Sequence, residues 1–272
     1  MLLVFATLFL GMSQPVSSDK SVNRSNEEIR VLPVARAPES ESVILRTVRP
    51  QENAVLSGNP VWIQFRIDGY ALGADSSQFP RADEIAISDM GQTVHVIVDN
   101  RPYFSINEPE INPFNEEGYY RETSYKFEMP FNLREGMHTI RMFPARSFGE
   151  SLKGENTFQA SVFYLGHTSS RSDMNLSQPY LTYNEPSIHT ELTEAKPILL
   201  DFLVTNCELT SDGYKVRLTI DGKINRVLTS WQPYYIYGLP QGKHTIHLEL
   251  LDSHGKIVSG VFNSVEQQIV VH

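Results

Sequence analysis

The chain has 272 residues, 40% hydrophobic and 20% charged, with a formal net charge of −9. That is a soluble globular profile, with chain enough for one large domain or two of ordinary size, and it excludes a disordered or membrane-embedded polypeptide. There is no run of Lys and Arg of the kind nucleic acid requires, and the single cysteine, Cys207, excludes the disulfide-scaffold class of secreted domain.

Residues 1–18 read as a signal peptide. Leu2 to Met12 is apolar, too short to span a bilayer (about 20 residues needed) but right for a signal core. Val16 and Ser18 supply small residues for cleavage before Asp19. No Lys or Arg precedes the apolar run, which leaves an uncleaved anchor or a different start codon as alternatives. The expected location is outside the cytoplasm, whether periplasmic, at the cell surface or secreted, with no membrane span in the mature chain. Residues 19–42 are polar, contain Pro33 and Pro38, and read as a flexible lead-in.

From Val43 onward, short alternating segments are separated by Gly, Pro, Asn and Asp, the pattern of an all-β fold. The pattern occurs twice, predicting one β-sandwich over 43–166, a Ser-rich linker over 167–178 and a second β-sandwich over 179–272. Pro60-Val61-Trp62-Ile63-Gln64-Phe65 matches Pro197-Ile198-Leu199-Leu200-Asp201-Phe202. Val94 to Asn100 matches Val216 to Gly222, each ending in a turn-forming Asp-Asn or Asp-Gly pair. Leu133-Arg134-Glu135-Gly136-Met137-His138-Thr139-Ile140 matches Leu239-Pro240-Gln241-Gly242-Lys243-His244-Thr245-Ile246. Turns at Ser147-Phe148-Gly149 and Ser253-His254-Gly255 follow, then final strands at Phe158 to Leu165 and Val265 to Val271. Period-two alternation points Val94, Val96, Val98, Ile140 and Met142 into one core, and Val216, Leu218, Ile220, Ile246 and Leu248 into the other.

These segments resemble the immunoglobulin-like and fibronectin type III-like modules of bacterial exported proteins. The pattern that carries the resemblance is a strand ending in Asp-Gly, then Leu-Pro-x-Gly-x-His-Thr-Ile, a further strand and a turn. The resemblance implies two tandem antiparallel β-sandwich domains serving adhesion, spacing or ligand binding, without the paired cysteines of antibody domains.

The offset between matched residues falls from 137 at Phe65 and Phe202 to 122 at Val98 and Ile220 and 106 at Gly136 and Gly242. The first copy therefore carries two inserts, and inserted surface loops often carry function. One, Asp68 to Gln92, reads as an ordinary long loop with a short strand at Glu84 to Ile87. The other places Tyr103, Phe104, Phe114, Tyr119 and Tyr120 among Asn107, Glu108, Glu110, Asn112, Asn115, Glu116 and Glu117. Rings beside amides and carboxylates suit sugar stacking with hydroxyl recognition, and the same oxygens suit calcium, although the spacing is not that of a calcium loop. A structural cap on the sandwich is the other reading. In the second copy, Trp231 beside Tyr234, Tyr235 and Tyr237 is either packing or a binding platform.

The histidines show no metal-ligand spacing. His244 and His247 fall on opposite faces of a strand, and His138 and His244 share one position of the pattern, which points to a structural role. Asp99 and Asp221 likewise read as matched turn residues. Ser147-Phe148-Gly149-Glu150-Ser151 reads as a turn, and no nucleophile elbow or phosphate loop is present. Cys207, ending an apolar run, reads as a small packed hydrophobe. The Asn-x-Ser sequons at Asn23 and Asn175 fall in segments read as lead-in and linker. The expectation is a non-enzymatic exported structural or interaction module without cofactor or metal, with a protein or glycan partner at the cell envelope. The alternative is a carbohydrate- or calcium-binding protein using Tyr103, Phe104, Asn107, Glu108, Tyr119, Tyr120 and Trp231.

Overall fold

A computed structural model of the chain describes residues 28–107, 124–166 and 174–272. Those residues form sixteen strands and no helix. In chain order they are β1 (Arg30–Pro33), β2 (Ile44–Arg49), β3 (Ala54–Leu56), β4 (Trp62–Asp68), β5 (Thr93–Val98), β6 (Phe104–Ile106), β7 (Ser124–Glu128), β8 (Gly136–Ala145) and β9 (Gln159–Leu165). They continue as β10 (Tyr180–Glu185), β11 (Ile198–Thr205), β12 (Lys215–Ile220), β13 (Ile224–Leu228), β14 (Tyr234–Tyr237), β15 (Gly242–Leu251) and β16 (Ser264–Val271).

The strands make four sheets, β2-β4-β7, β3-β9-β8-β5-β6, β1-β14-β11-β10 and β13-β12-β15-β16. Alternation along each strand fills two separate cores. Val94, Val96, Val98, Ile140 and Met142 face Ile63, Phe65 and Ile67 in the first. Val216, Leu218, Ile220, Ile246 and Leu248 face Leu200, Phe202 and Ile236 in the second. The all-β sandwich architecture and the predicted inward faces are as the sequence indicates. Each fully buried aliphatic side chain contributes on the order of 1.5–3 kcal/mol.

The strand after each Asp turn is anchored in the same way. Asp99 and Asp221 sit at positive φ (56° and 52°), as an Asp side chain tolerates. Their carboxylates accept hydrogen bonds from Thr139 N at 3.0 Å and Thr245 N at 2.8 Å. His138 Nδ1 lies 3.0 Å from Asp99 and His244 Nδ1 lies 2.8 Å from Asp221, while each Nε2 lies 2.8 Å from the Arg134 or Pro240 carbonyl. Both histidines are therefore part of the frame.

Two expectations are corrected. Residues Arg30–Pro33, read as flexible lead-in, form β1 and pair antiparallel with β14 of the second sandwich, Arg30 opposite Tyr237. Ile29 and Val31 pack against that core, which repays the cost of ordering the segment. The strand proposed at Glu84 to Ile87 does not form; the segment is turn and irregular chain. Phe79, Ala82 and Ile85 are spent on a different contact, a cluster with Phe148, Leu199 and Tyr235. The first insert thus wedges between the sandwiches.

Candidate functional site

The inner two sheets bury their outer faces against each other. In β11, Ile198, Leu200 and Phe202 fill the second core, so Leu199, Asp201 and Leu203 point the other way. In β5 and β8 the same alternation turns His95, Ile97, Arg141 and Phe143 outward, and all four are buried. In β10 the register shifts between Tyr183 and Glu185, setting Glu185 opposite Asp201. A bulge of this kind re-aims a side chain, and here it brings Glu185 as well as Asn184 to the seam.

Polar groups brought there must be paired, since an unpaired buried charge costs several kcal/mol. Asp201 accepts from Lys153 Nζ at 2.5 Å, Ser151 N at 3.1 Å, Ser151 Oγ at 2.5 Å and Asn184 Nδ2 at 2.7 Å. Glu150 accepts from Arg81 at 2.5 Å and from Ala37 N at 2.7 Å. Burial pushes the Glu150 carboxyl up, against the pull of Ala37 N–H and Arg81. Arg141 pairs with no carboxylate among the described residues; it donates to the carbonyls of Leu181 and Asp99, to Thr182 Oγ1 and to Asn100 Oδ1, with Phe262 4.1 Å from its guanidinium. Burial brings its pKa down to about 10.

A cavity of about 590 Å³ opens along this seam, within the range of small-molecule sites. The first insert forms one wall, from Ile85 to Gly91, and His189 to Thr193 form the opposite one. His95, Tyr103 and Glu185 line it together. Tyr103 stacks on His95 with centroids 3.7 Å apart and planes 10° apart. Asn184 Nδ2 donates to Asp201 and to the Gly149 carbonyl, which leaves its Oδ1 to accept from His95 Nδ1–H at 2.8 Å. His95 Nε2 is then the bare acceptor nitrogen. Burial lowers the His95 pKa to about 4, so the ring is neutral at physiological pH.

Glu185 accepts from Tyr103 Oη at 2.5 Å, Ser187 N at 2.8 Å and Thr190 Oγ1 at 2.9 Å. Burial raises its pKa to about 7 despite these donors. The same burial, with the neighbouring carboxylate, holds the Tyr103 phenol well above its ordinary value and keeps it protonated. Gly149 is needed beside it: a Cβ there would sit 3.1 Å from Glu185 Cγ, and its φ is +85°.

Of the residues singled out from the sequence, the described ones, Tyr103, Phe104, Asn107 and Trp231, do not form one surface. Tyr103 is buried in the cavity floor, and Phe104 packs edge-on to Phe127 and Phe131. Asn107 donates to the Met90 carbonyl at 3.1 Å. Glu108, Tyr119 and Tyr120 lie outside the described residues. Trp231 is no exposed platform: its indole N–H donates to the Phe202 carbonyl at 3.0 Å, and the Arg36 guanidinium lies 4.9 Å from its ring. Burial raises the half-buried Cys207 thiol to about 11, keeping it protonated. Among the described residues no three His, Cys, Asp or Glu side chains gather as a metal site. His95, Asn184, Glu185 and Asp201 carry no site motif in the sequence. Their one signal is an acid in the apolar run Leu199-Leu200-Asp201-Phe202-Leu203, a strand apolar on both faces and hence covered on both.

No protein-family model matches the sequence, and no curated protein matches it. Among solved structures, the chain is similar to the fibronectin(III)-like modules of Clostridium thermocellum CbhA at 10% identity and a TM-score of 0.28, over 84% of this chain and 94% of that one. The two tandem V-type regions of a v-region-containing chitin binding protein match at 10% identity and a TM-score of 0.23, over 84% and 99%. SGBP-B of the Bacteroides ovatus mixed-linkage glucan utilization locus, solved in complex with a mixed-linkage heptasaccharide, matches at 14% identity and a TM-score of 0.18, over 91% and 48%.

Proposed function

We propose that the protein is a non-enzymatic, exported binding module whose two sandwiches act as one body and hold a small ligand in the seam between them. The observation that carries this reading is the cavity of about 590 Å³ lined from both sandwiches. A site of this size at such a junction, apolar in part and with a few convergent polar groups, fits ligand capture. The hydrogen bonding argues against catalysis. Glu150 and Asp201 are each held by a cation, and His95 is tied to an amide rather than to a carboxylate that would make it a base. Of the residues named for the alternative site, Tyr103 is buried and the Trp231 indole is turned to the Phe202 carbonyl.

The test is a fragment screen by NMR on wild type and on Ser105→Trp, which fills the cavity, with a parallel hydrolase screen on glycans, esters and peptides. Binding abolished by Ser105→Trp and no turnover is the expected result. Turnover lost in Glu185→Gln would replace this reading with an acid–base enzyme, for which a carboxyl titrating near 7 is suited.

A further inference from the structure

Resting on that reading, we propose that the cavity takes a ligand bearing an ammonium or guanidinium group, with Glu185 as its counter-ion. Glu185 is 2% exposed and lines the cavity. Its three partners among the described residues, Tyr103 Oη–H, Ser187 N–H and Thr190 Oγ1–H, all donate. Ser187 Oγ in turn donates to Tyr103 Oη at 3.0 Å, which directs the phenol proton towards the carboxylate. An arrangement made only of donors is complementary to an ionised carboxylate, not to a carboxylic acid. Yet no cation pairs with it among the described residues, whereas Glu150 and Asp201, in the same seam, have Arg81 and Lys153.

The nearest cations of the cavity are already engaged. Lys196 Nζ donates to the Ile85 carbonyl at 3.1 Å, and Arg146 to Gln92 Oε1 at 2.7 Å and to the Pro38 carbonyl at 2.5 Å. Beside Glu185 the cavity is lined by His95, Tyr103 and Asp89 from the first sandwich and by His189 and Glu191 from the second, and Tyr183 and Asp201 lie close enough to interact electrostatically. With His95 neutral and Asp201 held by Lys153, Glu185 is left without a counter-charge among the described residues, and a bound cation would supply it. The Tyr103 ring offers an aromatic wall for the methylenes or the charge.

The experiment titrates the full chain with n-butylammonium and agmatine, and with n-pentanol and methyl glucoside as neutral counterparts, by NMR and calorimetry. The cations are expected to bind and the neutral compounds not to. Their affinity should fall about tenfold from pH 8 to pH 6, as a carboxylate of pKa about 7 takes up its proton. Glu185→Gln, checked for folding by circular dichroism, should lower the affinity at least tenfold. In wild type, saturating n-butylammonium should move the carboxyl 13C titration midpoint of Glu185 down, a measurement that needs no variant. Cation binding unchanged in folded Glu185→Gln, an unmoved midpoint, or no cation binding would overturn the assignment. Neutral compounds binding in place of the cations would overturn the ligand class while leaving the binding-module reading intact. Enzymatic turnover would overturn that reading and leave the ammonium site standing.

Discussion

The Lys153 ammonium and the Asp201 carboxylate meet at 2.5 Å across the seam, both side chains fully excluded from solvent. The pair joins the turn after β8 to the middle of β11, so it links the two sandwiches directly. Its two members are unequally supported. Asp201 has further donors in Ser151 and Asn184, whereas the Lys153 ammonium has, besides Asp201, only Ser151 oxygens among the described residues. Asp201→Ala should therefore destabilise by about 3–5 kcal/mol, because it strands a buried cation. Lys153→Met should cost less, since Asp201 keeps its other donors. Urea denaturation of the two variants checks the order, and equal losses would contradict it.

The Asp–His turns make a second prediction. Asp99→Ala and Asp221→Ala each lose an amide and an imidazole donor and force Ala into positive φ. A loss of about 2–4 kcal/mol is expected from each. At His138 the hydrogen bond to Asp99 raises the pKa, against the effect of burial. A raised folded pKa means the contribution is fully present below the ordinary value of 6.5 and is lost as pH rises through the folded value. His138→Ala should accordingly destabilise more at pH 5.5 than at pH 8.5, measured by chemical denaturation at both.

The cores and these turns were legible because their causes are local. Alternation at Val94, Val96 and Val98 needs no knowledge of what lies opposite, and Asp99-Asn100 carries its turn in its own side chains. The seam was not legible, because burial of a second strand face depends on a partner sheet about a hundred residues away. Tyr103 reads as a surface aromatic beside Asn107 and Glu108 until β10 is set against it. Trp231 reads as a platform until Arg36 and the Phe202 carbonyl cover it. Glu185 depends on a bulge that no residue type in Tyr183-Asn184-Glu185 announces.

Glu185 makes stability depend on pH in the sense opposite to an ion-paired acid. Burial raises its carboxyl from 4.5 to about 7, so between those values the folded state binds more protons than the unfolded one. Stability then falls as pH rises from 4.5 to 7 and is level above, the interval amounting to about 3 kcal/mol. Glu185→Gln should flatten that part of the profile. Thermal denaturation of both proteins from pH 4 to pH 9 is the check, and parallel profiles would refute the assignment.

The N-terminal strand gives the last prediction. β1 covers the edge of β14, with Val31 opposite Ile236 and Leu32 opposite Tyr235, and Val34 N extends the pairing to the Pro233 carbonyl at 2.9 Å. Removing residues 1–35 takes away the apolar contacts of Ile29 and Val31 and bares a strand edge rich in aromatic residues. Stability should drop by about 2–4 kcal/mol from the lost burial. Separately, the uncovered edge should promote self-association, because its N–H and C=O groups are a template for another strand. The double variant Ile29→Ala/Val31→Ala removes the burial but keeps the backbone cover. It should lose stability yet stay monomeric by sedimentation velocity, where the truncated chain associates. Association in both proteins would mean that the side chains of β1, not its backbone, guard the edge.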